Sequence, residues 1–162
     1  MSKKLVIANW KMNLDYSQAR ELSKMISKNN FKNNLVIAPS NLYLEAILKI
    51  CENNPQIMVS SQNVSEYENG AYTGEISAKM LKSLGVSYCI IGHSERRLYF
   101  GEESKVLTTK INQCLKNNIV PIFCVGEKEN DRDKNEHFKV VKNQIKRARQ
   151  LALLPYVADN LK

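Results

Sequence analysis

The chain has 162 residues, of which 43% are hydrophobic, so its length and composition fit one domain with its own core. Its 24 basic and 16 acidic residues give a net charge of +8, and basic chains of this kind can bind nucleic acid. The apolar run near the N-terminus is short and predicts neither a signal peptide nor a membrane span. We therefore expect a cytoplasmic protein with no membrane partner.

The basic excess and the cysteines each have an ordinary interpretation. Residues 128–162 hold nine basic and five acidic residues, but this Lys- and Asn-rich segment is more typical of a solvated helix than of a nucleic-acid site. We therefore expect no nucleic-acid partner. The cysteines form no C-x-x-C pair and have no histidine at metal-ligand spacing, which predicts reduced thiols and no metal site. They are Cys51, Cys89, Cys114 and Cys124.

Short apolar runs alternate with helical patterns along the chain. Strands are predicted at residues 5–8, 35–38, 57–60, 88–91 and 119–125. Helices are predicted over 15–28 with an Asp15–Gln18 capping box, after Ser40 as far as Cys51, over 76–84 with Gly85 at its end, over 107–115, and over 130–154. This alternation indicates parallel β/α architecture, and the even spacing favours a barrel over a doubly wound sheet.

The stretch 88–102 carries the strongest signal for a site. A short apolar strand ends at Gly92, His93 follows at its C-terminal tip, and Ser94 is expected to cap a helical turn of charged residues. Ligands of α/β proteins bind where strands end and helices begin. His93 is therefore interpreted either as a buried, hydrogen-bonded histidine or as an electrophile. The charged turn that follows, 95–97, can equally be a solvated surface.

A second candidate segment follows the first predicted strand. Asn9 and Lys11 lie just past its tip, at the same end of the sheet as His93. A lysine there can be an ordinary surface residue or a cation suited to a phosphate or an enolate oxygen. Gln62 and Asn63, past the third strand, can be loop hydrogen-bonders with no part in catalysis. The residues alone therefore indicate a small anionic ligand and leave the reaction class open.

Five strings make the interpretation specific. They are ANWKMN (8–13), SQNVS (61–65), GAYTGEISA (70–78), IIGHSERR (90–97) and CVGE (124–127). In these strings, their order and their spacing the chain resembles triosephosphate isomerases, across residues 4–127. The resemblance implies a TIM-type (β/α) barrel of eight strands, a homodimer, and interconversion of glyceraldehyde 3-phosphate with dihydroxyacetone phosphate in glycolysis and gluconeogenesis, without a cofactor or metal.

The resemblance also implies roles at the site. Asn9 and Lys11 match substrate-binding residues, and Lys11 would stabilise the enediolate and the phosphate. His93 matches the catalytic electrophile that polarises the carbonyl and moves a proton between the two oxygens. A histidine kept neutral by the start of a helix is a known property of this family. Glu95 matches a carboxylate that organises the catalytic site beside Lys11.

Other matched positions imply structural roles. Thr73 matches the tip of a loop that reaches into the partner subunit, and Met12 lies where that loop docks. Glu75 and Arg96 match a salt-bridge pair, and Cys124 matches a cysteine that supports folding.

The resemblance weakens beyond the motif-bearing part. We expect one domain over 1–162, an incomplete barrel of about five β/α units, with a helical tail over 128–162. The family's base glutamate, in a Tyr-Glu-Pro-Val-Trp-Ala string, its lid and its phosphate-binding glycines have no match here. We therefore expect these residues alone to be inactive. The alternative is a non-catalytic interaction or phosphate-binding module that another chain completes.

Overall fold

The computed structural model describes residues 5–152, and the predicted helix at 130–154 therefore extends beyond the described part. Five short strands form one parallel sheet in the order β1-β2-β3-β4-β5, which confirms the predicted architecture. The strands are β1 (Leu5–Asn9), β2 (Asn34–Ala38), β3 (Ile57–Ser61), β4 (Tyr88–Ile91) and β5 (Val120–Phe123). The sheet curls into a half-barrel with helices between its strands, as expected of an incomplete TIM-type barrel.

Helices connect successive strands and cover the outer face of the sheet. They are α1 (Tyr16–Ser27), α2 (Leu44–Cys51), α3 (Ala78–Leu84), α4 (Ser94–Tyr99), α5 (Ser104–Lys116), α6 (Glu129–Asp133) and α7 (His137–Ala152). The capping box that opens α1 is confirmed, since Asp15 Oδ1 accepts from the Gln18 amide and Gln18 Oε1 accepts from the Asp15 amide. Gly85 ends α3 in the left-handed conformation that glycine adopts without strain. No helix among residues 5–152 is long and apolar enough to cross a bilayer.

Three predicted helix details were wrong. Ser40 opens a single 3-10 turn, Asn41–Tyr43, and its side chain caps nothing. The helix predicted from residue 76 begins two residues later because Ser77 caps it, accepting from the Met80 amide. The predicted long helix of the tail is two helices, α6 and α7. Between them Asn135 has a φ of +55°, a conformation that cannot continue a right-handed helix.

The core lies between the sheet and the helices. Its fully buried side chains include Ile37 from β2, Leu81 from α3 and Ile111 from α5. Cys51, Cys89 and Cys114 belong to the same cluster as free thiols, as expected of reduced core cysteines.

The two outer strands are only partly covered. Leu5, Val6 and Ile7 on β1 and Val120 on β5 all leave a substantial part of their side chains exposed. Consecutive residues of a strand face opposite sides, so β1 is open on both of its faces. An edge of this kind leaves backbone donors and acceptors available for pairing.

The register brings the carboxyl ends of all five strands to one rim. Asn9 pairs with Ala38 at the end of β1 and β2, and Ile91 pairs with Phe123 at the end of β4 and β5. Residues that follow these positions therefore gather at the same edge, where ligands bind in parallel β/α proteins.

Truncating a core leucine should destabilise the chain far more than truncating a surface one. Leu81→Ala removes a fully buried side chain and should lower the free energy of unfolding by about 2–5 kcal/mol. Leu42→Ala is the matched control, because Leu42 is 85% exposed and its loss should cost less than about 0.5 kcal/mol. Urea titration of both variants measures the difference, and equal losses would contradict the assigned core.

Candidate active site

An open cavity of about 630 Å³ lies at the carboxyl rim of the sheet. Asn9 reaches it from the end of β1, Gln62 from the end of β3, and His93 from the end of β4. Lys11 and Glu95 line it as well. The structure thus brings together the four predicted catalytic and substrate-binding residues, Asn9, Lys11, His93 and Glu95.

The backbone at Lys11 is held in an uncommon conformation. Its φ of +54° lies in the left-handed region, which costs a residue with a side chain about 1–3 kcal/mol. Two side chains hold it there: Asn9 Oδ1 accepts from the Lys11 amide at 3.0 Å, and Gln62 Nε2 donates to the Lys11 carbonyl at 2.8 Å. Gln62 also donates to the Ala38 carbonyl, which ties the segment to β2. Gln62 is therefore a loop residue that shapes the site through its hydrogen bonds, the structural role that its sequence position allowed.

The Lys11 side chain joins the end of β1 to helix α4. Its Nζ lies 2.7 Å from Glu95 Oε1, and both side chains remain nearly half exposed. The hydrogen bond from Lys11 lowers the pKa of Glu95 below its ordinary value. Desolvation opposes that effect in part, and the positive charge of Lys11 adds a smaller lowering. The pair therefore fixes the ammonium at the cavity wall without burying it.

His93 is itself the cap of α4, so the prediction that Ser94 caps this helix was wrong. The imidazole Nδ1 accepts from the Glu95 amide at 3.3 Å, and Ser94 is the first helical residue. Glu95 Oε2 lies 3.2 Å from the same nitrogen, but an Nδ1 that accepts a permanent amide hydrogen has no proton to share with a carboxylate. We therefore assign Nδ1 as the acceptor of the helix cap and not as part of an ion pair. A protonated Nδ1 would point its own hydrogen at the hydrogen of the Glu95 amide. The ring proton then lies on Nε2.

Arg97 locks the backbone on the other side of His93. Its Nε donates to the Gly92 carbonyl at 2.7 Å and its Nη2 to the Cys124 carbonyl at 2.8 Å. These bonds join the ends of β4 and β5, so Arg97 is not part of a solvated turn. Gly92 has a φ of +71°, and a Cβ there would lie 2.8 Å from Arg97 Nη2. The turn that presents His93 therefore favours glycine.

The predicted Glu75–Arg96 salt bridge is not formed within the chain. Arg96 Nε lies 2.6 Å from Glu102 Oε1 instead, and Glu75 sits on the exposed loop before α3. The sequence resemblance identified Arg96 as an ion-pairing residue but not its partner in this chain.

A second cavity, of about 610 Å³, adjoins the first at His93. Glu127 lines it after β5 and is bonded to Arg132, whose hydrogen bond lowers the pKa of Glu127. Gln144 closes the far side by exchanging hydrogen bonds with both backbone groups of Gly126. His93 is thus accessible from two sides, with a paired carboxylate on each.

The two predicted interface residues differ in their relation to this cavity. Met12 is 98% exposed and lines the first cavity. Thr73 is exposed on the loop between β3 and α3 and does not line that cavity. Cys124 lies at the end of β5, where burial raises the pKa of its thiol.

A curled parallel sheet with helices between its strands, and polar side chains gathered at its carboxyl rim, defines the class of (β/α)-barrel proteins. Residues 4–154 match the family model described as triosephosphate isomerase. The chain belongs to the triosephosphate isomerase family.

Curated relatives carry the same family name. The triosephosphate isomerase of Mycoplasma mobile is 40% identical over 91% of this chain and 64% of its own length. That of Flavobacterium johnsoniae is 42% identical over 90% of this chain and 59% of its own length, and that of Francisella philomiragia is 40% identical over 88% and 57%. The chain thus spans about three fifths of the length of these relatives.

Adding one methyl group at Gly92 should disturb the turn that presents His93. Gly92→Ala forces a side chain into the left-handed region against Arg97, and we expect a loss of about 1–3 kcal/mol in unfolding free energy. Gly126→Ala is the control, because a Cβ there meets no atom within 4 Å, and it should change stability by less than about 1 kcal/mol. Chemical denaturation tests both variants, and a neutral Gly92→Ala would refute the assigned turn.

Removing the Lys11 ammonium should raise the pKa of Glu95 toward that of an ordinary carboxyl group. The folded-state pKa is lowered, so the contact stabilises the fold above the unfolded pKa and that contribution disappears as pH falls through the folded value. Lys11→Met should abolish both the pKa shift of Glu95 and the loss of folding stability at low pH that this shift causes. Carboxyl-carbon NMR titration measures the Glu95 pKa directly, and an unchanged value in the variant would contradict the contact.

Proposed function

We propose that the rim cavity binds a phosphorylated triose and serves the interconversion of glyceraldehyde 3-phosphate and dihydroxyacetone phosphate. The observation that carries this proposal is the shared cavity of Lys11, His93 and Asn9, with the lysine held in a strained backbone conformation. Strain of this kind persists where surrounding contacts enforce it, and it concentrates at functional sites. The names and coverage of the relatives support the same assignment.

Each proposed role follows from the chemistry of the side chain. The half-exposed Lys11 ammonium can bind the substrate phosphate and stabilise negative charge that develops on an enediolate oxygen. The His93 Nδ1 already accepts a backbone hydrogen, which leaves Nε2–H as the donor toward a substrate carbonyl. Asn9 contributes to substrate binding at the cavity wall, and Glu95 serves catalysis by holding Lys11 in place.

Isomerisation also requires a base that removes a proton from carbon. In the described part of the chain, Glu95 and Glu127 are the glutamates that line the two cavities, and each has a lowered pKa because it is bonded to a cation. A carboxylate with a lowered pKa is a weaker base. We therefore propose that residues 1–162 alone turn over triose phosphate orders of magnitude more slowly than a complete family enzyme.

Self-association is proposed as a homodimer. Leu98, Tyr99 and Phe100 are each more than 60% exposed, and Tyr99 and Phe100 line the same cavity as the fully exposed Met12. Contiguous exposed apolar residues mark surfaces that another protein covers. Thr73, on its exposed loop, is the proposed point of entry into the partner, and a cytoplasmic location fits a glycolytic role.

The open strands favour a second candidate function. The exposed apolar residues of β1 and β5 suit a binding module whose sheet is extended by another polypeptide segment. Such a module would hold a phosphate ester at Lys11 without isomerising it.

Binding of dihydroxyacetone phosphate tests the site that both candidates share, and turnover tests the weakness of its bases. Dihydroxyacetone phosphate should bind residues 1–162, and Lys11→Met should weaken binding about 10–100-fold, because a hydrogen bond to a charged group is lost. Lys49→Met, an exposed lysine of α2, is the control and should leave affinity unchanged. Calorimetry gives affinity and a coupled assay gives turnover.

Binding of dihydroxyacetone phosphate with negligible turnover would support the proposed site and the assignment of Glu95 and Glu127 as weak bases. Turnover at the rate of complete family enzymes would overturn the assignment of Glu95 and Glu127 as poor bases. Equal affinity of Lys11→Met and the unmodified chain would overturn the proposed site.

A further inference from the structure

Lys110 is a buried lysine that the proposed chemistry does not use. It lies on α5 and is 5% exposed, although lysine is almost never fully buried unless it is paired. Its Nζ lies 2.5 Å from Glu102 Oε1 and 2.8 Å from Asn63 Oδ1. It does not line the rim cavity, whereas Asn63 does.

These contacts extend in both directions toward the Lys11–Glu95 pair. On one side Glu102 Oε1 also accepts from Arg96 Nε at 2.6 Å, and Arg96 is the neighbour of Glu95 on α4. On the other side Asn63 follows Gln62, which holds the Lys11 carbonyl. The contacts and the two peptide links therefore form a closed circuit. Its members in order are Lys11, Glu95, Arg96, Glu102, Lys110, Asn63 and Gln62.

The geometry points to Lys110 as a positioning residue that holds the Lys11–Glu95 pair in register from behind the cavity wall. Three segments meet at its ammonium: the start of the loop after β3, the turn before α5, and α5 itself. The inference rests on the proposed function only in taking the Lys11–Glu95 pair as the substrate-binding element.

The energetics favour a positioning role over a mere contribution to stability. Burying a charge pair removes both ions from water, and their mutual attraction often fails to compensate for that cost. Such a pair is therefore weak evidence for stabilisation. Glu102 Oε2 is buried without a hydrogen-bond partner among residues 5–152, so the cluster is not fully satisfied within that part of the chain. What the cluster provides instead is a fixed separation between the segment that bears Gln62 and the helix that bears Glu95.

The test uses the pKa of Glu95 as a local readout of the Lys11 contact. In Lys110→Met the Glu95 pKa should rise toward its value in Lys11→Met, and the affinity for dihydroxyacetone phosphate should fall about tenfold. Lys105→Met, on the exposed face of the same helix, is the matched control and should change neither quantity. Carboxyl-carbon NMR, calorimetry and thermal unfolding are recorded on each variant.

A second variant separates positioning from charge and from unfolding. Asn63→Ala breaks the circuit but keeps Lys110, Glu102 and Arg96 paired, so it should fold and remove no charge. The Glu95 pKa should rise in this variant too. A folded Asn63→Ala with an unchanged Glu95 pKa would overturn the inference. A raised Glu95 pKa without any triose phosphate binding would support the circuit and refute only the proposed function.

Discussion

The hydrogen bond between Lys11 Nζ and Glu95 Oε1 is the contact on which the candidate site depends. It joins residues 84 positions apart, from the end of β1 to the first turn of α4. No local preference of the chain creates that contact; the parallel register does, because it delivers both strand ends to one rim. The site is therefore a product of the sheet, and any slip in register would dismantle it.

The same contact sets the chemical character of the cavity. A carboxylate that holds an ammonium keeps its negative charge and loses basicity, so the residue that orients Lys11 is poorly suited to take a proton from carbon. Cation placement and proton abstraction thus need separate carboxylates. The described rim supplies the first function at Glu95, whereas Glu127 at the neighbouring cavity is engaged with Arg132.

Strand positions could be predicted from apolar runs because strands of parallel sheets show little polar alternation, and β1 and β5 keep that pattern although they are partly exposed here. Local signals such as the Asp15–Gln18 capping box were equally clear. His93 was missed as a cap because histidine is not among the usual capping residues. Lys110 was missed because its partner Asn63 lies 47 residues away, a contact that no local pattern encodes. The motifs pointed to the residues of the candidate site, but the hydrogen bonds between them depend on the folded structure.

Zero-length cross-linking tests the central contact most directly. A carbodiimide activates a carboxylate so that an amine in contact with it forms an amide. We predict a Lys11–Glu95 linkage by mass spectrometry, beside an internal positive control at Lys139–Glu136, an exposed pair 3.2 Å apart. Formation of the control linkage without the Lys11–Glu95 linkage would contradict the site.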